Sequence, residues 1–182
     1  MPIINFTLFK DDFLQHQLYV LSKNKRLKKQ YLKNKINFTI IIFTIGCLFY
    51  LRDDEIIGLG FIGAGALFFI FYSLIEKDTY LKHYTNFIND AYANYDEERV
   101  TISFYDDKIK IIDNWTETCI NLTQITEVAE TQMYFYLKLK QNGSHIIIPK
   151  LRIKNLNELT GVIEKIAHTN QLTINKDLDW KW

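Results

Sequence analysis

Between residues 36 and 75 the chain is almost wholly apolar, broken only by four consecutive charges, Arg52, Asp53, Asp54 and Glu55. Few features constrain a fold more. A helix crossing the hydrocarbon core of a bilayer needs roughly 20 apolar residues at about 1.5 Å each, and this run is about twice that length. One straight span would leave half of it without a membrane. Four charges at mid-bilayer would cost on the order of 2.5–3.5 kcal/mol each. Folding the run back on itself at residues 52–55 lifts all four into water. "INFTIIIFTIGCLFYL" (residues 36–51) and "IIGLGFIGAGALFFIFYSLI" (residues 56–75) then become the arms of a transmembrane hairpin. The first arm is short, and Lys35 and Arg52 can snorkel at its ends. The competing reading is a pair of buried helices in a soluble all-α core, but such helices rarely lack a polar stripe over so much of their length. Small residues on the second arm, Gly60, Gly63 and Ala64, offer Gly46 a place for close backbone approach. The same glycines can also face lipid with no packing role.

Orientation follows from where Lys and Arg fall. Lys23, Lys25, Arg26, Lys28, Lys29, Lys33 and Lys35 precede the first arm, Arg52 alone lies between the arms, and Lys77 and Lys82 follow the second. Basic residues stay on the cytoplasmic side and acidic ones count for little. The expectation is a multi-pass protein of the inner (plasma) membrane with both termini cytoplasmic. The basic run has a second reading, attraction to anionic membrane lipid at about 1 kcal/mol per residue. Phe13, Leu14, Leu18 and Leu21 at helical spacing would extend it into one amphipathic helix over residues 12–33 lying on the bilayer. No matching basic domain supports a nucleic-acid partner. The apolar runs begin too late, and lack the small-residue cleavage site, for a secretory signal. Cys47 and Cys119 sit in such different surroundings that no disulfide is expected.

At 182 residues, the chain has room for one ordinary domain besides these elements. Four segments result: residues 1–35 with an N-terminal strand and the basic helix, the hairpin at 36–75, a juxtamembrane helix at 76–98, and a domain at 99–182. In the third, Tyr80, Tyr84, Phe87, Ile88, Ala91 and Tyr92 recur every three or four residues, and tyrosines suit the membrane interface. In the fourth the period changes to two. Val100, Ile102 and Phe104, then Ile109 and Ile111, alternate with polar residues around a turn at Asp106-Asp107. "TCINLTQITEVAE" carries one or two more strands. "MYFYLKLKQNGSHIIIP" predicts a hairpin closed by Asn142-Gly143, a pair that accepts the positive φ of such turns. After Pro149, Asn155 and Glu158 hold capping-box positions ahead of a helix with Leu156, Leu159, Val162, Ile163 and Ile166 on one face. The fold class is therefore α+β: a transmembrane hairpin plus a small antiparallel β domain covered by a C-terminal helix. Order and spacing leave roll, barrel and open sheet undecided. Ile4, Phe6 and Leu8 in "INFTLFK" offer a further strand for an edge of that sheet.

This order, with the stretch "ITEVAETQMYFYLKLKQNGSHIIIPK" and the closing "DWKW", resembles the YcxB-like family of bacterial membrane proteins over nearly the whole chain. The resemblance implies a cytoplasmic domain similar to bacterial pleckstrin-homology-like folds. It implies no activity, so no catalytic residue is carried over.

Nothing in the sequence assembles a reaction centre. His16, His83, His145 and His168 are scattered, without a second ligand at metal spacing. Gly58, Gly60 and Gly63 mimic a dinucleotide fingerprint, but no strand precedes them and no acidic residue follows at the required distance. No metal, cofactor or enzymatic role is expected. One constellation stands out. Lys150, Arg152 and Lys154 alternate with Leu151 and Ile153, so an extended chain would put three basic heads on one side. With Lys138 and Lys140 on the neighbouring strand they would make a patch for anionic lipid or a phosphorylated ligand. The plainer reading is a charged strand edge that discourages aggregation. Function reads as a membrane-tethered cytoplasmic binding module for lipid, protein or peptide. The alternative is a transport-accessory or carrier subunit made by oligomerising the hairpin, although ionisable residues are missing from the spans.

Overall fold

The computed structural model describes residues 2–52, 54–93, 97–141 and 143–182. The chain divides into two units. One joins the residues up to His16 with Ile88–Lys181; the other is Gln17–Phe87 together with Trp182.

The first unit is built on two four-stranded sheets. In one, β1 (Ile3–Leu8) pairs antiparallel with β2 (Glu98–Phe104), which pairs with β3 (Lys108–Ile112) and then β4 (Glu117–Asn121). β1 is a strand because its period is two: Ile4, Phe6 and Leu8 are buried while Ile3 and Asn5 are exposed. Its register on β2 runs from Ile3 opposite Ser103 to Leu8 opposite Glu98, which matches Ile4 and Phe6 with the buried Ile102 and Val100. A one-residue slip would turn all three apolar side chains to water. The N-terminal strand is therefore an integral edge of the sheet.

The other sheet has the order β7-β6-β5-β8. A turn of 3-10 helix, Leu122–Gln124, separates β4 from β5 (Ile125–Thr131). β5 reverses into β6 (Tyr134–Leu139) through a turn fixed by the Thr131 side chain, whose Oγ1 accepts from the Tyr134 N–H at 3.0 Å. β6 and β7 (His145–Pro149) form the hairpin expected from Asn-Gly. Gly143 takes φ of +62°, a conformation glycine adopts without strain; Asn142 lies outside the described residues. α4 (Leu156–Thr169) follows, burying Leu159, Ile163, Ile166 and Ala167. The chain ends with β8 (Ile174–Asp177), a strand parallel to β5 that the sequence did not announce. Ile102, Ile109, Val128, Leu137, Ile148 and Ile163 are wholly buried. Each contributes about 1.5–3 kcal/mol by leaving water.

Asn155 holds the N-cap position of α4, but its side chain accepts from no helix N–H; instead its Nδ2 donates to the Glu158 carboxylate at 3.3 Å.

The second unit carries α2 (Lys25–Tyr50) and α3 (Glu55–Ala91), two helices long and apolar enough to cross a membrane. Only 6% and 11% of their most apolar stretches is buried by the protein itself, so their apolar side chains face outward. A core helix of a soluble domain would show the reverse. Both extend past the arms expected at 36–51 and 56–75. The juxtamembrane segment is a continuation of α3, not a separate helix. The expected surface helix over residues 12–33 is likewise broken. α1 (Lys10–Lys23) stops, and Asn24 starts α2 by accepting from the Arg26 and Leu27 N–H groups at 3.0 and 3.2 Å. Lys25, Arg26, Lys28, Lys29, Lys33 and Lys35 therefore ride on the helix that carries the first apolar run, while Lys23 closes α1.

The two helices run antiparallel, with Phe49 stacked on Phe61 at 5.7 Å and Phe38 against Phe68 at 6.3 Å. Close approach occurs at Gly46, Gly58 and Gly65. A Cβ on Gly58 would lie 2.7 Å from the Tyr50 nitrogen, and one on Gly46 would lie 2.9 Å from Ile62 Cγ1. Gly60 and Gly63, which the sequence offered as Gly46's partners, face open space. Thr39 and Thr44 donate their hydroxyls to the carbonyls of Lys35 and Ile40 at 2.8 Å, so neither is left unsatisfied on the apolar surface. Asp53 of the charged turn lies outside the described residues.

Candidate functional site

The chemically densest region of the first unit is centred on Asp12, which is completely buried. It occupies the third position of α1, where its Oδ2 reaches back to accept from the Phe9 N–H at 2.7 Å. That carboxylate also accepts from Arg152 Nη1 at 2.5 Å, and its Oδ1 accepts from the Tyr134 hydroxyl at 2.8 Å. Arg152 donates in addition to the Thr7 carbonyl at 2.9 Å and lies over the Phe9 ring at 4.6 Å. Burial, with Asp12 next to it, pushes the Tyr134 hydroxyl above its ordinary pKa and keeps it a donor. One carboxylate thus holds together the β1–α1 junction, β6 and the turn after β7.

This network undoes the geometry expected of the basic constellation. Lys150–Arg152 is a turn of 3-10 helix, so the three basic heads do not line up on one side of an extended chain. Lys150 points inward, 2.6 Å from Glu130 and 2.7 Å from the Thr131 carbonyl, with its ammonium over the Phe135 ring. Arg152 is committed to Asp12. Lys138 lies 3.4 Å from Glu127. A buried cation without a counter-charge is costly, and the sequence supplies acidic partners from distant positions. Lys140 and Lys154 are exposed, and neither has a carboxylate partner among the described residues.

Two histidines that look unrelated in sequence meet in space. The rings of His16, on α1, and His145, on β7, are 4.8 Å apart, and His16 also lies 5.4 Å from Tyr136. Burial, reinforced by His145, lowers the His16 pKa to about 4; burial and then Lys138 lower that of His145. Both shifts favour the neutral imidazole. His16 Nε2 is buried without a hydrogen-bond partner among the described residues. No third ligating side chain joins the pair: the described residues contain no cluster of three or more groups able to hold a metal.

Among the clefts on this unit, one of about 350 Å³ lies between the β2–β3 turn and α4, with Phe104, Leu122, Val162 and Ile166 on its walls and the Lys165–Asp106 ion pair at its rim. Another, about 200 Å³, lies between β1 and the start of α4, lined also by Lys154 and Glu158.

In the second unit, the basic residues at the start of α2 form no ion pairs with described carboxylates, and Lys35 sits over the Phe69 ring at 4.1 Å. No family model matches the chain, and no curated protein or solved structure matches it.

Proposed function

We propose that this protein is a membrane-tethered binding module: a transmembrane hairpin that holds a folded cytoplasmic β domain at the inner face of the plasma membrane. One observation carries the reading. β1 comes before α2 and α3 in the chain, β2 comes after them, and the two strands pair along six residues of one sheet. A sheet cannot be divided by a bilayer, because strand edges in hydrocarbon would leave backbone groups unsatisfied. If the hairpin crosses the membrane, both of its flanks are on the same side. The excess of Lys and Arg before α2 selects the cytoplasm. This argument from pairing is independent of the charge count, and the two agree.

The likeness to pleckstrin-homology-like folds draws on two sheets and a helix near the C-terminus; the YcxB-like resemblance rests on the sequence alone. The parallel β8 after that helix is a departure from the expected ending. The carrier alternative draws on Gly60 and Gly63, whose open faces leave room for a second hairpin to pack. It lacks a conduit, and the binding reading accounts for more of the structure.

Thiol labelling in intact cells tests the topology. In a Cys47→Ser background, a membrane-impermeant maleimide should label Asp54→Cys from outside. It should reach Cys119, which is exposed on β4, only after the membrane is opened. Labelling of Cys119 in sealed cells would overturn the reading.

A further inference from the structure

Helical phase sorts the lysines of α2 into two stripes. Lys28, Tyr31 and Lys35 recur at i, i+3 and i+7 on the face that meets α3, where the Tyr31 ring lies 5.4 Å from Tyr72 and the Lys35 ammonium sits over Phe69 at 4.1 Å. Lys25, Lys29 and Lys33 recur at i, i+4 and i+8, turned away from α3, and all three are exposed. No acidic residue lies on α2. Just past the apolar run on α3, Asp78 pairs with Lys82 at 2.7 Å, and the half-buried Glu76 makes no ion pair among the described residues. The outer stripe therefore presents its ammonium groups without a counter-charge.

The same line continues along the helix as apolar surface. After Lys33 come Ile36 and Ile40, 41% and 57% exposed, then Thr44 with its hydroxyl returned to the backbone, then the exposed Cys47. Steps of three and four keep them on one face. That face is basic for about 12 Å, from Lys25 to Lys33, and apolar for about 16 Å beyond Ile36, at 1.5 Å per residue. A water-soluble acidic partner would match only the basic half. An anionic phospholipid standing against the helix matches both, with its chains on Ile36 and Ile40 and its phosphate at the lysines. Depth grades the three. With Ile36 at the hydrocarbon edge, Lys33 stands about 4.5 Å above it, inside a headgroup layer of about 5–7 Å. Lys29, about 10.5 Å above, reaches down along its flexible stem. Lys25, about 16.5 Å above, lies roughly a Debye length beyond the headgroups.

We propose that this face of α2 binds an anionic phospholipid of the inner leaflet, its phosphate held by Lys33 and Lys29 and its chains lying along Ile36 and Ile40. The proposal rests on the reading of α2 and α3 as a membrane hairpin and names the lipid class beside it. Lysines that served orientation alone would need neither a common face nor an apolar continuation of that face. The consequence is a tether that distinguishes an anionic leaflet from a neutral one.

The test uses the full chain, with Cys119→Ser, labelled at Cys47 with a small fluorophore and placed in bilayers of equal parts phosphatidylcholine and phosphatidylglycerol. One lipid or the other is brominated near its chain ends, at the depth of Cys47, so quenching reports which lipid stands on this face. Phosphatidylglycerol should be preferred about fivefold. Lys33→Gln should cut the preference below about twofold, Lys33→Arg should keep it, and Lys25→Gln should change it by less than about twofold. Quenching by brominated phosphatidylcholine shows that each variant is inserted. Equal quenching by the two lipids, a preference that survives Lys29→Gln combined with Lys33→Gln, or equal losses from Lys25→Gln and Lys33→Gln would each overturn the proposal; the last would mean diffuse surface charge and no lipid held on one face. Quenching by neither lipid would remove the membrane hairpin and this proposal together, whereas quenching without preference removes the proposal alone.

Discussion

The two units solve opposite solvent problems with the same twenty side chains. In the sheet unit the apolar residues turn inward and charges are matched to distant partners, as Asp12 is to Arg152 and Glu130 to Lys150. In the helical unit large apolar residues turn outward and glycine is placed inside, at Gly46, Gly58 and Gly65. Burial of apolar area stabilises the first, whereas the outward-facing helices of the second meet each other through close backbone packing. The contrast teaches where each unit is vulnerable: the sheet unit at a buried polar hub, the hairpin at a position with no side chain.

The largest effect that contrast predicts belongs to Asp12. Asp12→Ala leaves the Arg152 guanidinium, the Tyr134 hydroxyl and the Phe9 N–H without their acceptor. It should destabilise the sheet unit by about 3–5 kcal/mol, read from denaturant unfolding of the β domain in detergent. A change below about 1 kcal/mol would mean the hub is not where that unit's stability is concentrated.

Next comes a pH dependence that only the sheet unit should show. Burial holds His16 at about 4 in the fold against 6.5 for the free side chain, so the unfolded chain binds a proton that the native one refuses. Stability from this group is complete above pH 6.5 and is lost as pH falls towards 4, reaching about 3 kcal/mol. His16→Gln should flatten the stability–pH curve in that window relative to wild type. Parallel curves for the two proteins would rule the histidine out as the source.

The smallest effect sits in the hairpin. Gly58→Ala puts a methyl group against the Tyr50 and Gly46 backbones, which cannot yield as a side chain would, at a cost of about 1–3 kcal/mol. Gly60→Ala meets nothing and should be neutral or mildly stabilising, alanine being the better helix former. Resistance of the helices to SDS-induced unfolding would rank the two variants; equal loss would show that glycine at Gly58 is not required for contact.

How much of this was legible from sequence depends on the range of the physics. The helical hairpin announces itself because its apolar character runs over consecutive residues. The β2–β3 and β6–β7 hairpins are equally local, with period two on either side of short turns. Asn24 is a local signal that the basic run concealed: an N-cap amid lysines, dividing what looked like one helix. By contrast, nothing near Asp12 marks it as the partner of Tyr134 and Arg152, and nothing near His16 points to His145. The extended geometry of the basic constellation fails for the same reason. Its alternation is real, but the acidic groups that draw Lys150 and Arg152 out of line come from β5 and α1. The glycine contacts fail at finer scale, since spacing identifies small residues but not which of them faces the other helix.

Pairing between the two ends of the hairpin also sets a schedule. Asn5 and Thr101, bonded through their side chains at 2.7 Å, are separated by 96 positions. At 5–20 residues per second a ribosome needs roughly 5–20 s to make that interval. Throughout it β1 waits, its greasy alternate side chains unsheltered, while both long helices are being made. Assembly of the sheet can therefore begin only after the helical unit has been synthesised, and anything that shields residues 3–8 meanwhile becomes part of how this protein is made.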